Sequence, residues 1–177
     1  MCDSQNKPGI NVVVFGLPGS GKTYFADKLS SRINGLHISS DTIRQQLQQQ
    51  DKYREQAKME VYYKMLKLME KAIRNKQNTV LDGTFYKAMI RDLFKEKAGL
   101  LNSDLYFIEI RSNESTIQER VNSKRKESDA DFEVYLKIKS IFEPLSEDHL
   151  ILYSDRGKPD DMLNKAVAYI NYPDGTA

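Results

Sequence analysis

Cysteine is almost absent from this chain, Cys2 being the single one. With no second thiol in the sequence there is no intramolecular disulfide, and the expected setting is reducing and cytoplasmic. Long apolar runs are missing too. The first run, Ile10–Phe15, is too short for a signal-peptide core or a membrane span, so no membrane attachment is expected. Nor does one sign of charge dominate: 27 Lys and Arg against 25 Asp and Glu leave a formal net charge of +2. A dedicated duplex-binding protein carries a stronger basic excess, so duplex nucleic acid is not expected as a partner. A short oligonucleotide end stays open as a substrate. Internal repeats and long linkers are also lacking, and nothing in the sequence sets an oligomeric state.

What is present is 177 residues, 40% hydrophobic and 29% charged, the mix of a globular chain with one core. Polar stretches at 1–9 and 172–177 read as tails around a single domain at 10–171. Within it, short apolar runs alternate with helical periodicities. The runs Ile10–Phe15, Leu36–Ser39, Thr79–Asp82, Asp104–Ile110 and Leu150–Tyr153 predict strands. Helices are predicted over Lys22–Ile33, Thr42–Gln50, Gln56–Asn75, Lys87–Ala98, Glu114–Ser123, Asp131–Phe142 and Asp160–Ile170. The third is the clearest, with Ala57, Val61, Met65, Leu68, Met69, Ala72 and Ile73 on one face. Such alternation predicts a three-layer α/β/α fold around a five-stranded parallel sheet, with ligands at the carboxyl ends of the strands.

At the end of the first strand stands Gly16-Leu17-Pro18-Gly19-Ser20-Gly21-Lys22-Thr23, which fits the spacing G-x-x-x-x-G-K-[ST] of a phosphate-binding P-loop. The glycines let backbone N–H groups approach phosphate oxygens, and the next helix aims its positive end at the same anion. Lys22 supplies a mobile charge for the β- and γ-phosphates, and the Thr23 hydroxyl is a Mg²⁺ ligand. The four specified positions coincide by chance in roughly one such chain in a hundred. A strongly apolar strand before the motif and a helix after it supply the context that confirms it. ATP and Mg²⁺ are the expected cofactors.

Asp41 follows the second strand at the same rim of the sheet. There a carboxylate can accept the proton of an attacking hydroxyl, and Arg44, three residues on, can hold an anionic group of the acceptor. The competing role for Asp41 is a helix cap. Thr79-Val80-Leu81-Asp82 is an apolar strand ending in an acid, the form of a second metal-organising motif, which makes Asp82 a metal candidate. Gly83 then turns the chain, and Thr84 offers a hydroxyl toward the cleft. Arg120, Lys124, Arg125 and Lys126 open a polar stretch that reads as a lid over about 120–135, able to bring a cation onto a transferring phosphoryl group.

Taken together, Gly16–Thr23, Ser40-Asp41-x-x-Arg44, Leu81-Asp82-Gly83-Thr84-Phe85 and the lid with Arg120 and Ser128-Asp129-Ala130 resemble the ATP-dependent, AAA-type P-loop kinases of the polynucleotide kinase and zeta-toxin-like group. Gluconate kinases are similar at a greater distance. The resemblance implies a general base at Asp41, an acceptor-binding arginine at Arg44 and a nucleotide-contacting lid arginine at Arg120. Relatives often carry a second lid arginine four residues later, where this chain has Lys124 with Arg125 adjacent. The expected reaction is transfer of the γ-phosphate of ATP to a hydroxyl of a nucleoside, a small metabolite or a 5′-hydroxyl oligonucleotide end. The alternatives are a regulatory nucleotide-binding module or a zeta-toxin-like nucleotide-sugar kinase. A guanine-specific switch needs Asn-Lys-x-Asp, and both Asn75-Lys76-Gln77-Asn78 and Asn164-Lys165-Ala166-Val167 lack the acid.

Overall fold

The computed structural model describes residues 9–47, 55–123 and 128–171. In chain order the elements are β1 (Asn11–Phe15), α1 (Lys22–Arg32), β2 (Leu36–Ser39), α2 (Ser40–Gln46), α3 (Glu55–Arg74) and β3 (Thr79–Asp82). They continue with α4 (Ala88–Leu100), β4 (Leu105–Arg111), α5 (Glu114–Ser123), α6 (Ser128–Ser140), β5 (Leu150–Tyr153) and α7 (Pro159–Asn171). The strands form one five-stranded sheet in the order β2-β3-β1-β4-β5. Every pairing in it is parallel.

Asn11-Val12-Val13-Val14-Phe15 takes the centre of the sheet because β-branched and aromatic side chains suit a pleated strand with both faces covered. Its residues alternate between two cores. Val12 and Val14 pack with Phe25, Ala26 and Leu29 of α1 and with Met162, Ala166 and Ile170 of α7. Val13 and Phe15 face the other way, against Val61, Met65 and Met69 of α3 and Ile90 and Phe94 of α4. This makes three layers, the α/β P-loop NTPase architecture. The periodic face expected of α3 is the one that buries Val61, Met65, Met69, Ala72 and Ile73. Truncating a fully buried member such as Met65 to alanine costs about 2–5 kcal/mol.

Strand ends lie within a residue of their expected places, but two helix starts move. α2 opens at Ser40 rather than Thr42, because Ser39 already adopts the extended backbone of an N-cap (φ −96°, ψ 130°). α6 opens at Ser128 rather than Asp131. The chain crosses from β1 toward one edge of the sheet and from β3 toward the other. The crevice beyond the carboxyl ends of these strands is therefore where a ligand fits.

Candidate active site

Between β1 and α1 the chain turns through Gly16–Gly21 and delivers Lys22 and Thr23 to the first turn of a helix whose N-terminus faces the cleft. The loop is cross-braced by the Ser20 amide, which donates to the Leu17 carbonyl at 3.2 Å. Gly19 is fixed by two demands at once. Its φ is +77°, and a Cβ there would lie 2.9 Å from Cγ2 of Ile117 on α5. Helix α5 thus packs directly against the phosphate loop.

The cleft has a volume of about 1140 Å³. Into it face Lys22 and Lys28 from α1, Arg44 from α2, Lys58 from α3, Arg120 from α5 and Lys137 from α6, with Asp41 the one acid among the described lining residues. The overall charge is nearly balanced, so this excess of cations is local. A concave site lined by one sign of charge concentrates anions.

Asp41 is the second residue of α2, inside its first turn, while Ser39 occupies the cap position. The Ser39 hydroxyl is turned away from the helix and donates to Oδ2 of Asp82 at 3.4 Å. Asp41 therefore does not serve as the N-cap. Its Oδ1 accepts from Nη1 of Arg44 at 2.6 Å, and both side chains line the cleft. Such a pair is partly exposed and adds little stability, which leaves it available to a ligand.

Asp82 is only 1% exposed and is not among the described residues that line the cleft. Among the described residues its Oδ1 is buried without a hydrogen-bond partner, and Oδ2 stands 3.8 Å from Nε2 of His37. A buried carboxylate oxygen left unpaired is costly unless something outside the protein satisfies it. Among the described residues no three acids, histidines or cysteines cluster as a metal cage. Magnesium keeps several waters and binds through one or two protein oxygens plus phosphates, so the Thr23 hydroxyl and the unpaired Asp82 oxygen fit it.

Arg120 extends from α5 across the phosphate loop. Its Nη1 donates to Oγ of Ser154 at 2.8 Å and approaches the carbonyls of Gly19 and Ser20 at 3.4 Å each. Its Nη2 donates to the Ser154 carbonyl at 3.2 Å. The Ser154 hydroxyl in turn donates to the Ser20 carbonyl at 2.6 Å. Lys124, Arg125 and Lys126, read as lid cations, lie outside the described residues.

The structure thus brings Pro18, Gly19, Gly21, Lys22, Thr23, Asp41, Arg44 and Arg120 to one cleft. Gly16 stands at the root of the loop, and Ser20 is buried within it. The sequence reading passed over Ser154, Lys58, Tyr62 and Lys137. Ser154 had a signal, since it follows the last strand at the same rim. Lys58 and Tyr62, four apart, share a face of α3 that turns toward the cleft.

Solved structures of known proteins share this fold. An APS kinase of Mycobacterium tuberculosis, in complex with AMPPNP and APS, superposes with a TM-score of 0.75 at 16% identity, covering 93% of this chain and 99% of that one. A gluconokinase from Sinorhizobium meliloti gives 0.65 at 18% identity over 94% and 93% of the two chains. A sugar kinase from Janibacter, unliganded, gives 0.71 at 17% over 93% and 95%. A search among curated proteins found no match. No helix among the described residues is long and apolar enough to cross a membrane. A family model described as an AAA domain matches residues 12–145, from the central strand through the phosphate loop to beyond α6, and the chain belongs to that AAA domain family.

Proposed function

We propose that the cleft is the active site of an ATP-dependent kinase of the polynucleotide kinase and zeta-toxin-like group, within one domain at 10–171. It transfers the γ-phosphate of ATP to a hydroxyl of an acceptor that also carries an anionic group. The observation that carries the reading is the lining of the cleft: among the described residues six cations and one acid, with the phosphate loop at one part and Asp41 with Arg44 at another. A nucleotide switch has no use for a second anion-holding region beside a carboxylate. Likeness in fold to an APS kinase, a gluconokinase and a sugar kinase supports the class of reaction.

In the mechanism the loop amides and Lys22 hold the β- and γ-phosphates, and Arg44 holds the anionic group of the acceptor. The Asp41 carboxylate takes the proton of the acceptor hydroxyl. The freed oxygen bonds to the γ-phosphorus, the bond from that phosphorus to the β–γ bridging oxygen breaks, and ADP leaves with the electron pair. Magnesium, when bound, offsets phosphate charge, and Thr23 and Asp82 are the residues that would hold it. Arg120, already over the loop, places a guanidinium where charge moves from the γ-phosphoryl oxygens to the leaving group.

The test is incubation with γ-labelled ATP against matched acceptors: a 5′-hydroxyl oligonucleotide, a nucleoside and its 3′-monophosphate, adenylylsulfate, gluconate and a neutral sugar. Label is expected on an anionic acceptor in preference to its neutral counterpart. Label on none of them overturns the kinase reading, and preference for the neutral counterpart overturns the anionic class.

A further inference from the structure

Beyond Asp82 the chain does something costly. Phe85, a bulky residue, adopts φ +45°, in the left-handed region that such side chains avoid. Strain of this kind persists only where surrounding groups over-determine the backbone. Here they do. The Phe85 amide donates to the phenol oxygen of Tyr62 on α3 at 3.1 Å. Its carbonyl accepts from Nη1 of Arg91 on α4 at 2.7 Å, and the same guanidinium donates to the Pro144 carbonyl at 3.1 Å. Arg91 is 1% exposed, so an arginine has been buried largely to hold backbone. The Phe85 ring is enclosed by Tyr62 and Phe94, each with centroids 5.1 Å away. Gly83 completes the arrangement: a Cβ there would lie 3.2 Å from both the Phe85 ring and the Ser40 hydroxyl.

One residue earlier, Thr84 lines the cleft, with its Oγ1 3.1 Å from the Tyr62 phenol oxygen. Which hydroxyl donates follows from counting protons. The Tyr62 oxygen already accepts the Phe85 amide, and its own proton has one acceptor in reach among the described residues, Thr84 Oγ1. The reverse assignment would leave the phenol proton without a partner among the described residues. Burial also raises the Tyr62 pKa, which keeps the phenol a donor at neutral pH. A directed chain results: Phe85 N–H to Tyr62, Tyr62 O–H to Thr84, and the Thr84 proton left for the cleft.

Building on the kinase reading above, we propose that Thr84 is an acceptor-binding residue, donating to an oxygen of the acceptor, and that Tyr62 is the positioning residue that fixes the direction of that bond. Lys58 lines the same cleft beside the Tyr86 ring, with its ammonium 5.4 Å from the ring centroid. The oxygen that Thr84 meets therefore belongs to an anionic group such as a phosphate or carboxylate, set off from the reacting hydroxyl.

The test is a double-mutant cycle on the acceptor that the labelled-ATP panel identifies. Tyr62→Phe and Thr84→Val should each raise the acceptor KM about tenfold and leave the KM for ATP unchanged, the scale of one hydrogen bond to a charged group. Because both remove one bond, the double variant should be no worse than either single one. Thr84→Ser, which keeps the hydroxyl, should restore the parental KM. If Tyr62→Phe fails to fold, the contrast between Thr84→Ser and Thr84→Val decides alone. Additive losses, an equal rise in the KM for ATP, or a Thr84→Val variant with parental acceptor KM overturns this assignment while leaving the kinase reading intact. A panel in which nothing is labelled overturns both.

Discussion

The Arg120 guanidinium and the Ser154 hydroxyl are joined at 2.8 Å, and that hydroxyl is also bonded to the Ser20 carbonyl of the phosphate loop. Arg120 is thus docked on the loop through the residue that follows the last strand. A guanidinium held there can act on charge that develops during transfer more than on bound ATP. Arg120→Ala should lower kcat about 10²–10³-fold while ATP affinity falls less than about tenfold. Ser154→Ala, which removes one anchor, should cost about fivefold in kcat. Steady-state kinetics beside calorimetry check both, and parental turnover in Arg120→Ala would return that side chain to a purely structural contact.

Lys22 opens α1 inside the cleft, and in the proposed mechanism it is the loop's point charge for the triphosphate. Lys22→Ala should abolish measurable transfer and weaken Mg·ATP binding about 10–100-fold. Calorimetry on a variant with parental circular dichroism makes the comparison. Unchanged affinity would remove the nucleotide from this loop.

Asp82 carries a buried oxygen with no partner among the described residues. Asp82→Asn keeps the shape and removes the charge. The Mg²⁺ concentration at half-maximal rate should rise about tenfold or more, with a lower plateau. A magnesium titration that overlays the parental curve would make Asp82 a fold residue.

Glu109 on β4 is 7% exposed and bonds Arg111 at 2.7 Å and His149, just before β5, at 3.1 Å. Burial pushes its pKa up, but the bonds from Arg111 and His149 outweigh burial and hold the carboxyl below its ordinary value of 4.5. The folded state therefore takes up this proton at lower pH than the unfolded chain. Its contribution is complete above pH 4.5 and is lost as pH falls through the folded value. Urea melts between pH 6 and 3 should show Glu109→Gln already weaker near neutrality and less sensitive to acid than the parent. Parallel curves for the two proteins would contradict this.

The five strands and most helix bounds were legible in the sequence because they rest on local signals: β-branched runs such as Val12-Val13-Val14, and the 3.6-residue period of α3. The phosphate loop was legible for the same reason, being one continuous octapeptide. What sequence could not display is chemistry assembled across the chain. Tyr62 meets Thr84 and Phe85 from 22 and 23 residues away, and Arg120 meets Ser154 from 34. Asp82 was legible as the acid that ends an apolar strand, but the burial of its Oδ1 without a partner among the described residues was not. For Asp41 the sequence left a base and a helix cap in competition, and the cap position is taken by Ser39, with Asp41 paired to Arg44 in the first turn.

Asp41 carries the central claim, that the cleft transfers phosphate to a hydroxyl instead of only holding a nucleotide. A base that receives the acceptor proton makes no contact with ATP, and Asp41→Asn changes one atom on an exposed first-turn side chain. The decisive measurement pairs calorimetric Mg·ATP affinity with the rate of label transfer in this single variant. The account predicts parental affinity together with a transfer rate about 10²–10⁴-fold lower. Transfer at the parental rate, or a loss of ATP affinity as large as the loss of rate, would contradict it.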